Sequence, residues 1–163
     1  MKTLLIVFHS LTGGTRQMAE AAAEGASGVP EIAVRLRTAP EAGPADVVGA
    51  DGYIFAAPEN LAAMAGRMKD FFDRTYYPAL DRINGRPYAT LICAGSDGQN
   101  AVRQITRIVT GWRLRAVTEP LIVCTHAQTP AAILAPKTIR PADLVACREI
   151  GGALANGLAA GIF

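Results

Sequence analysis

A parallel, doubly wound α/β sheet is the fold this chain predicts, on three observations. Strand-like and helix-like stretches alternate from one end of the 163 residues to the other. Three strands, Thr3 to Phe8, Gly52 to Ala57 and Pro87 to Cys93, are continuous apolar runs, the pattern of strands buried on both faces. The remaining two have edge character, and they come second and fifth in chain order. Alternation at this spacing means βαβ units, and the doubly wound order 2-1-3-4-5 places strands two and five at the edges. The expectation is a five-stranded sheet between two helical layers, in one domain spanning residues 1–163.

Each element has its own reason. After the first strand, Met18, Ala21, Ala22, Gly25, Ala26 and Val29 recur at helical spacing and predict a helix from about Gly14 to Ser27. Glu31 to Arg37 alternates, with Ile32, Val34 and Leu36 on one face, as a half-exposed edge strand does. Thr38 to Pro44 reads as a loop, and Ala45 to Ala50 as one helical turn. Gly52 to Ala57 is ended by Pro58. Met64, Met68, Phe71, Phe72 and Thr75 then mark a helix closed by Pro78, and Asn84-Gly85 signals a turn. Ala101, Val102, Ile105, Ile108, Val109 and Trp112 stripe the fourth helix, which stops near Gly111. Val117 to Cys124 is the last strand, demoted to an edge by Pro120. The long Thr125 to Arg140 segment follows, as lid, oligomer contact or packed connection. Leu144, Cys147, Gly151, Leu154, Ala155 and Leu158 define a C-terminal helix with Pro141 in its first turn.

Composition narrows the function classes. Half the residues are hydrophobic and 18% are charged, which excludes disorder. Sixteen basic against 14 acidic residues leave a net +2, without the basic excess of a nucleic-acid binder. No apolar run approaches the roughly 20 residues of a membrane span, and the Leu4 to Phe8 stretch is shorter than the ~7–15 residues of an export signal. A cytoplasmic protein is expected. Cys93, Cys124 and Cys147 are odd in number and far apart, and read as three buried thiols rather than a disulfide or metal framework.

Ligands of an open parallel sheet bind beyond the carboxyl ends of the strands, at the switch point. Three loops meet there. The first, Ser10, Leu11, Thr12, Gly13, Gly14 and Thr15, leaves a buried strand and enters a helix. It offers backbone N–H groups, three hydroxyls and two glycines to a phosphate. A plain helix entry capped by a threonine is the alternative reading. The loop lacks the lysine of a nucleoside-triphosphate loop and the GxGxxG of a dinucleotide fold. The second loop, Pro58, Glu59, Asn60, Leu61 and Ala62, is small enough for a flat ligand to lie against; Glu59 would touch that ligand or cap a helix. The third, Ala94, Gly95, Ser96, Asp97, Gly98 and Gln99, pairs close-approach glycines with polar groups, or is a tight capped turn.

These loops resemble those of the flavodoxin-like superfamily, on the side of its small NAD(P)H-dependent flavin and quinone reductases. Ser10, Thr12, Gly13 and Thr15 match the S/T-x-T-G-x-T phosphate loop. Ala57-Pro58 with Met64-Ala65-Gly66-Arg67-Met68-Lys69-Asp70-Phe71-Phe72-Asp73-Arg74 looks like the family's middle segment, and the likeness spans about Lys2 to Val123. It implies FMN as cofactor, with the phosphate on residues 10–15 and the isoalloxazine between residues 58–62 and 94–99. No Trp or Tyr lies in any of the three loops, so an aromatic stacking partner is not supplied by them.

The reading that follows is an oxidoreductase. Hydride passes from NAD(P)H to the flavin, then to a quinone, nitro compound, flavin or similar small acceptor, and no catalytic residue is assigned. Two other readings stand beside it: a module with lost flavin affinity, and a one-electron carrier, which the net +2 charge opposes. His126, after the last strand, is a candidate for a substrate or proton-donor position or a solvated bystander, and His9 reads as a hydrogen-bonded residue near the first loop. Arg103, Arg107, Arg113 and Arg115 form either a 2′-phosphate site or a solvated face. Tyr76 and Tyr77 cover a homodimer seam or the flavin crevice.

Overall fold

In the computed structural model, which describes residues 1–163, the chain runs β1 (Lys2–Phe8), α1 (Gly14–Ser27), β2 (Ile32–Thr38), α2 (Pro44–Gly49), β3 (Gly52–Asn60) and β4 (Ala63–Met64). It continues through α3 (Gly66–Ala79), β5 (Pro87–Ala94), α4 (Gln99–Gly111), β6 (Arg115–Ala116), β7 (Leu121–Cys124), α5 (Pro130–Leu134) and α6 (Pro141–Ala160). The sheet order is β2-β1-β3-β5, with β6 and β7 both beside β5 and β4 folded back on β3. Every pairing is parallel except β3 with β4. With β6 and β7 taken as one interrupted edge, this is the doubly wound order expected from the apolar runs. No helix is long and apolar enough to cross a membrane.

The period-2 alternation of the central strands builds two cores. Leu5 and Val7 of β1, with Tyr53 and Phe55 of β3, face α2, α3 and α4, where Phe71, Phe72, Ile105 and Trp112 close the packing. Leu4, Ile6, Phe8, Ile54 and Leu91 face α1 and α6. Trp112 is fully buried because its indole N–H donates to Tyr76 O (2.9 Å) while its ring stacks on Tyr76. On the other face α1 and α6 meet backbone to backbone. A Cβ at Gly151 would overlap the Ala22 carbonyl, and one at Gly25 the Arg148 carbonyl, so only glycine fits either position.

Five expectations are corrected. Pro58 does not end β3, which runs on to Asn60. β1's last partner pair is Phe8 with Ala56, so the missing N–H of Pro58 takes no ladder bond from β1. Met64 belongs to β4 rather than to the helix, which begins at Gly66, and Pro78 sits inside the last turn instead of closing it. The last strand is interrupted: Arg115–Ala116 and Leu121–Cys124 pair with β5 separately, on either side of Pro120. Cys124 is only half-buried, unlike Cys93 and Cys147.

Candidate functional site

The carboxyl ends of β1, β3 and β5 open onto one shallow cleft with an accessible volume of about 60 Å³. Six of the residues expected from sequence line it: Thr12, Pro58, Glu59, Asn60, Ala94 and Gly95.

The first loop folds into a cradle of unpaired N–H groups. Gly13 adopts φ +93°, a left-handed conformation that favours glycine, and Ser10 Oγ accepts its N–H at 3.1 Å. The turn leaves the N–H groups of Leu11, Thr12, Gly14, Thr15 and Arg16 with no acceptor within the chain. The Thr15 side chain is 2% exposed, and its Oγ1 is buried with no nitrogen or oxygen partner, only the weakly bonding Cys93 thiol beside it. A buried hydroxyl left unpaired costs about 1–3 kcal/mol. Free N–H groups, an orphaned hydroxyl and the α1 dipole at one point fit a phosphate monoester. Gly14 must lack a side chain as well: a Cβ there would fall 2.8 Å from Cys93 Sγ on β5.

The second loop is the tip of the β3–β4 hairpin. Leu61 (φ 49°) and Ala62 (φ 61°) are both left-handed, as a two-residue hairpin turn with the strand twist requires. Neither is glycine, so the turn carries strain of about 1–2 kcal/mol per residue. Three side chains brace it against α4: Asn100 Nδ2 donates to Ala62 O (2.6 Å), Gln104 Oε1 accepts from Met64 N (2.8 Å), and Glu59 accepts from Gly98 N (3.0 Å) and Ala101 N (3.1 Å). Of the two roles open to Glu59, its bonds are those of a cap on α4. Leu61 is fully exposed at the hairpin tip.

In the third loop Gly98 is left-handed at φ +89°, and a Cβ there would press on Ile122 and Ile92. Asp97 Oδ1 accepts from Gln99 N at 3.4 Å. Ser96, Asp97, Gly98 and Gln99, like Ser10, Leu11, Gly13, Gly14, Thr15, Leu61 and Ala62, are not among the residues that line the cleft itself.

Five lining residues were not expected: Cys93, Thr125, Ala127, Ile133 and Lys137. All but Cys93 belong to the segment between β7 and α6, which forms a strap. Its first end is tied to the third loop, Thr125 N–H to Ala94 O (2.9 Å) and His126 N–H to Gly95 O (2.8 Å). Its other end is tied to the first, Lys137 N–H to Thr12 O (2.8 Å). The one sequence signal for it was the apolar Ala131 to Leu134 run, which forms α5 with no buried residue. The strap also carries His126, left-handed at φ 59°, away from this cleft in a neighbouring one with Thr138 and Arg140.

Charge around the cleft is tuned by burial. Burial, with the Arg67 guanidinium adding to it, holds His9 below its ordinary 6.5. Burial pushes the Cys93 thiol up to about 11, against the pull of the Lys137 ammonium, so Cys93 is a neutral wall and not a nucleophile.

Among known proteins, the profile of the NADPH-dependent FMN reductase family matches residues 35–129. That stretch holds the second and third loops and leaves out the first. An NAD(P)H dehydrogenase (quinone) of Acidithiobacillus ferrooxidans is 39% identical over 95 residues, 46% of this chain and 48% of that protein. The chain thus matches about half the length of that relative. A protein named flavodoxin from Aquifex aeolicus is 29% identical over 98% of this chain and 88% of its own. In three dimensions, a flavodoxin from the domain Archaea superposes with a TM-score of 0.79 at 17% identity, covering 96% of this chain and 99% of that one.

Proposed function

From the membership of this chain in the NADPH-dependent FMN reductase family, we propose that it binds FMN in the cleft above β1, β3 and β5 and moves electrons from NAD(P)H to a quinone, flavin or similar small acceptor. FMN, when bound, supplies the hydride-accepting ring and so the redox chemistry itself. The chain's part is to bind, orient and shield. Ser10, Thr12 and Thr15 with the free N–H groups of Leu11, Thr12, Gly14, Thr15 and Arg16 would hold the phosphate. Pro58 to Ala62 and Ala94 to Gln99 would flank the ring. Glu59 keeps those two walls in register by accepting from Gly98 and Ala101.

The observation that carries the reading is the orphaned Thr15 hydroxyl among unpaired N–H groups, an arrangement that is costly unless an anion completes it. The test is the visible spectrum of the purified protein before and after FMN is added and the excess removed, followed by NADH and NADPH oxidation with a quinone present. Flavin retained at one per chain and rapid oxidation are expected. A chain that binds no FMN in titration overturns the proposal.

A one-electron carrier is the second reading. It is favoured by the Aquifex aeolicus relative, named flavodoxin and matched over nearly the whole chain. Reduction of the FMN-loaded protein separates the two: a single two-electron phase supports the reductase, and two resolved one-electron phases support the carrier. The net +2 charge lacks the acidic excess with which a carrier docks to basic partners.

A further inference from the structure

The strap brings the backbone of a lysine beside the cradle, and the cradle has no cation of its own. Ser10 to Thr15 bring only hydroxyls and N–H groups, and the next residue, Arg16, turns its guanidinium to the Phe8 ring (5.1 Å) and to Glu20 (3.8 Å). Lys137 is brought to the cradle by bonds that do not use its side chain. Its N–H donates to Thr12 O (2.8 Å), its carbonyl accepts from Gln17 Nε2 (2.7 Å), and Ile139 N–H donates to Gln17 Oε1 (3.0 Å). Lys137 Cβ stands 3.4 Å from where a Cβ on Gly14 would be, and the residue lines the cleft with Thr12 and Cys93. Its ammonium donates only to neutral carbonyls, those of Ala132 (2.8 Å), Ile133 (2.8 Å) and Ala135 (2.6 Å), at the exposed end of α5.

We infer that Lys137 is the phosphate-reading cation of this site, and that it makes the chain select phosphorylated flavin over riboflavin. The inference rests on the FMN reading above. A phosphate monoester dianion offers the ammonium charge-assisted hydrogen bonds about twice as strong as those to a neutral carbonyl. The flexible four-carbon stem lets the ammonium leave the α5 carbonyls while the Lys137 backbone stays fixed to Thr12 and Gln17. The vacated carbonyls lie where water reaches them. The phosphate thereby adds an ionic contact between the strap and the cradle, which an unphosphorylated flavin does not supply.

The experiment is a parallel titration of FMN and of riboflavin into the flavin-free full chain, read by flavin fluorescence at low and moderate salt. Wild type is compared with Lys137→Met, Lys137→Gln and Lys137→Arg. Met and Gln are expected to weaken FMN about tenfold or more, to leave riboflavin within about twofold, and to flatten the salt dependence of FMN binding. Arg is expected to keep most of the preference. Gln retains a donor for the α5 carbonyls, so FMN binding at the wild-type level in Lys137→Gln would assign the residue to holding α5 and overturn the inference. Equal losses for both flavins would do the same, as would FMN affinity indifferent to all three changes. Wild-type chain that binds neither flavin defeats the FMN reading itself. Wild-type chain that binds FMN with no dependence on Lys137 defeats this inference alone.

Discussion

Replacing Thr15 with valine is expected to move stability and cofactor affinity in opposite directions. The side chain is 2% exposed in the first turn of α1, and its Oγ1 has no nitrogen or oxygen partner, only the weakly bonding Cys93 thiol. Valine keeps that shape and removes the hydroxyl. An unpaired buried hydroxyl costs about 1–3 kcal/mol, so the flavin-free Thr15→Val protein should gain about 1 kcal/mol after imperfect repacking. In a domain of this size that raises Tm by about 2–4 °C. The same hydroxyl bonded to a phosphate is worth about 1.5–3 kcal/mol, so FMN should bind roughly 10- to 150-fold more weakly. Urea unfolding without flavin and fluorescence titration with FMN read the two effects separately. Thr90→Val on β5 is the control, since Thr90 Oγ1 is also buried and unpartnered but lies away from the cleft. It should gain stability and leave FMN binding unchanged. A Thr15→Val protein that loses stability and keeps its FMN affinity would refute the cradle argument.

Adjacent glycines of α6 should answer oppositely to alanine. Gly152→Ala, whose Cβ would meet Gly25 O at 3.4 Å, should gain up to about 1 kcal/mol of helix propensity, whereas Gly151→Ala, which overlaps the Ala22 carbonyl, should lose about 1–3 kcal/mol in urea unfolding. Glu59→Ala strips the acceptor from Gly98 N and Ala101 N, and thermal unfolding should show about 1–2 kcal/mol lost together with weaker FMN binding. His9 has a folded-state pKa below its ordinary 6.5, so the unfolded chain takes up the proton first as pH falls. Its contribution to stability is complete above about pH 6.5 and declines below it toward the folded value; His9→Gln should abolish that part of the slope in urea midpoints taken from about pH 5 to 8. Thiol labelling of the native protein near pH 8 should reach Cys124 and spare Cys93 and Cys147, whose burial raises each thiol to about 11, with all three reacting after unfolding.

The sheet order was readable because burial on both faces writes itself into β1, β3 and β5 as unbroken apolar runs, while β2 alternates. The turn between β1 and α1 was readable as well, since a strand, a Ser/Thr/Gly turn and a helix are contiguous in the chain. The hairpin tip was not. Its turn residues are Leu61 and Ala62, which carry no turn preference, and what forces them left-handed is bracing by Asn100 and Gln104 from some 40 residues on. The strap escaped for the same reason. Gln17 to Lys137 and Ile139 is a contact between chain ends, and Ala127, Ile133 and Lys137 reach the cleft only through it. The split of the last strand was half visible: Pro120 marked the edge, but the separate pairing of Arg115–Ala116 depends on where β5 happens to lie.

That same contact between chain ends orders events at the ribosome. The cradle is made well before residues 125–139, and the cleft acquires its fourth wall only when that later segment returns to Thr12 and Gln17. A nascent chain that has already folded β1 through β5 therefore presents an anion cradle with one side open, and α6, which packs over α1, has still to emerge. A chain stopping before Lys137 would keep every strand of the sheet while lacking the part of the strap that ties back to Thr12 and Gln17.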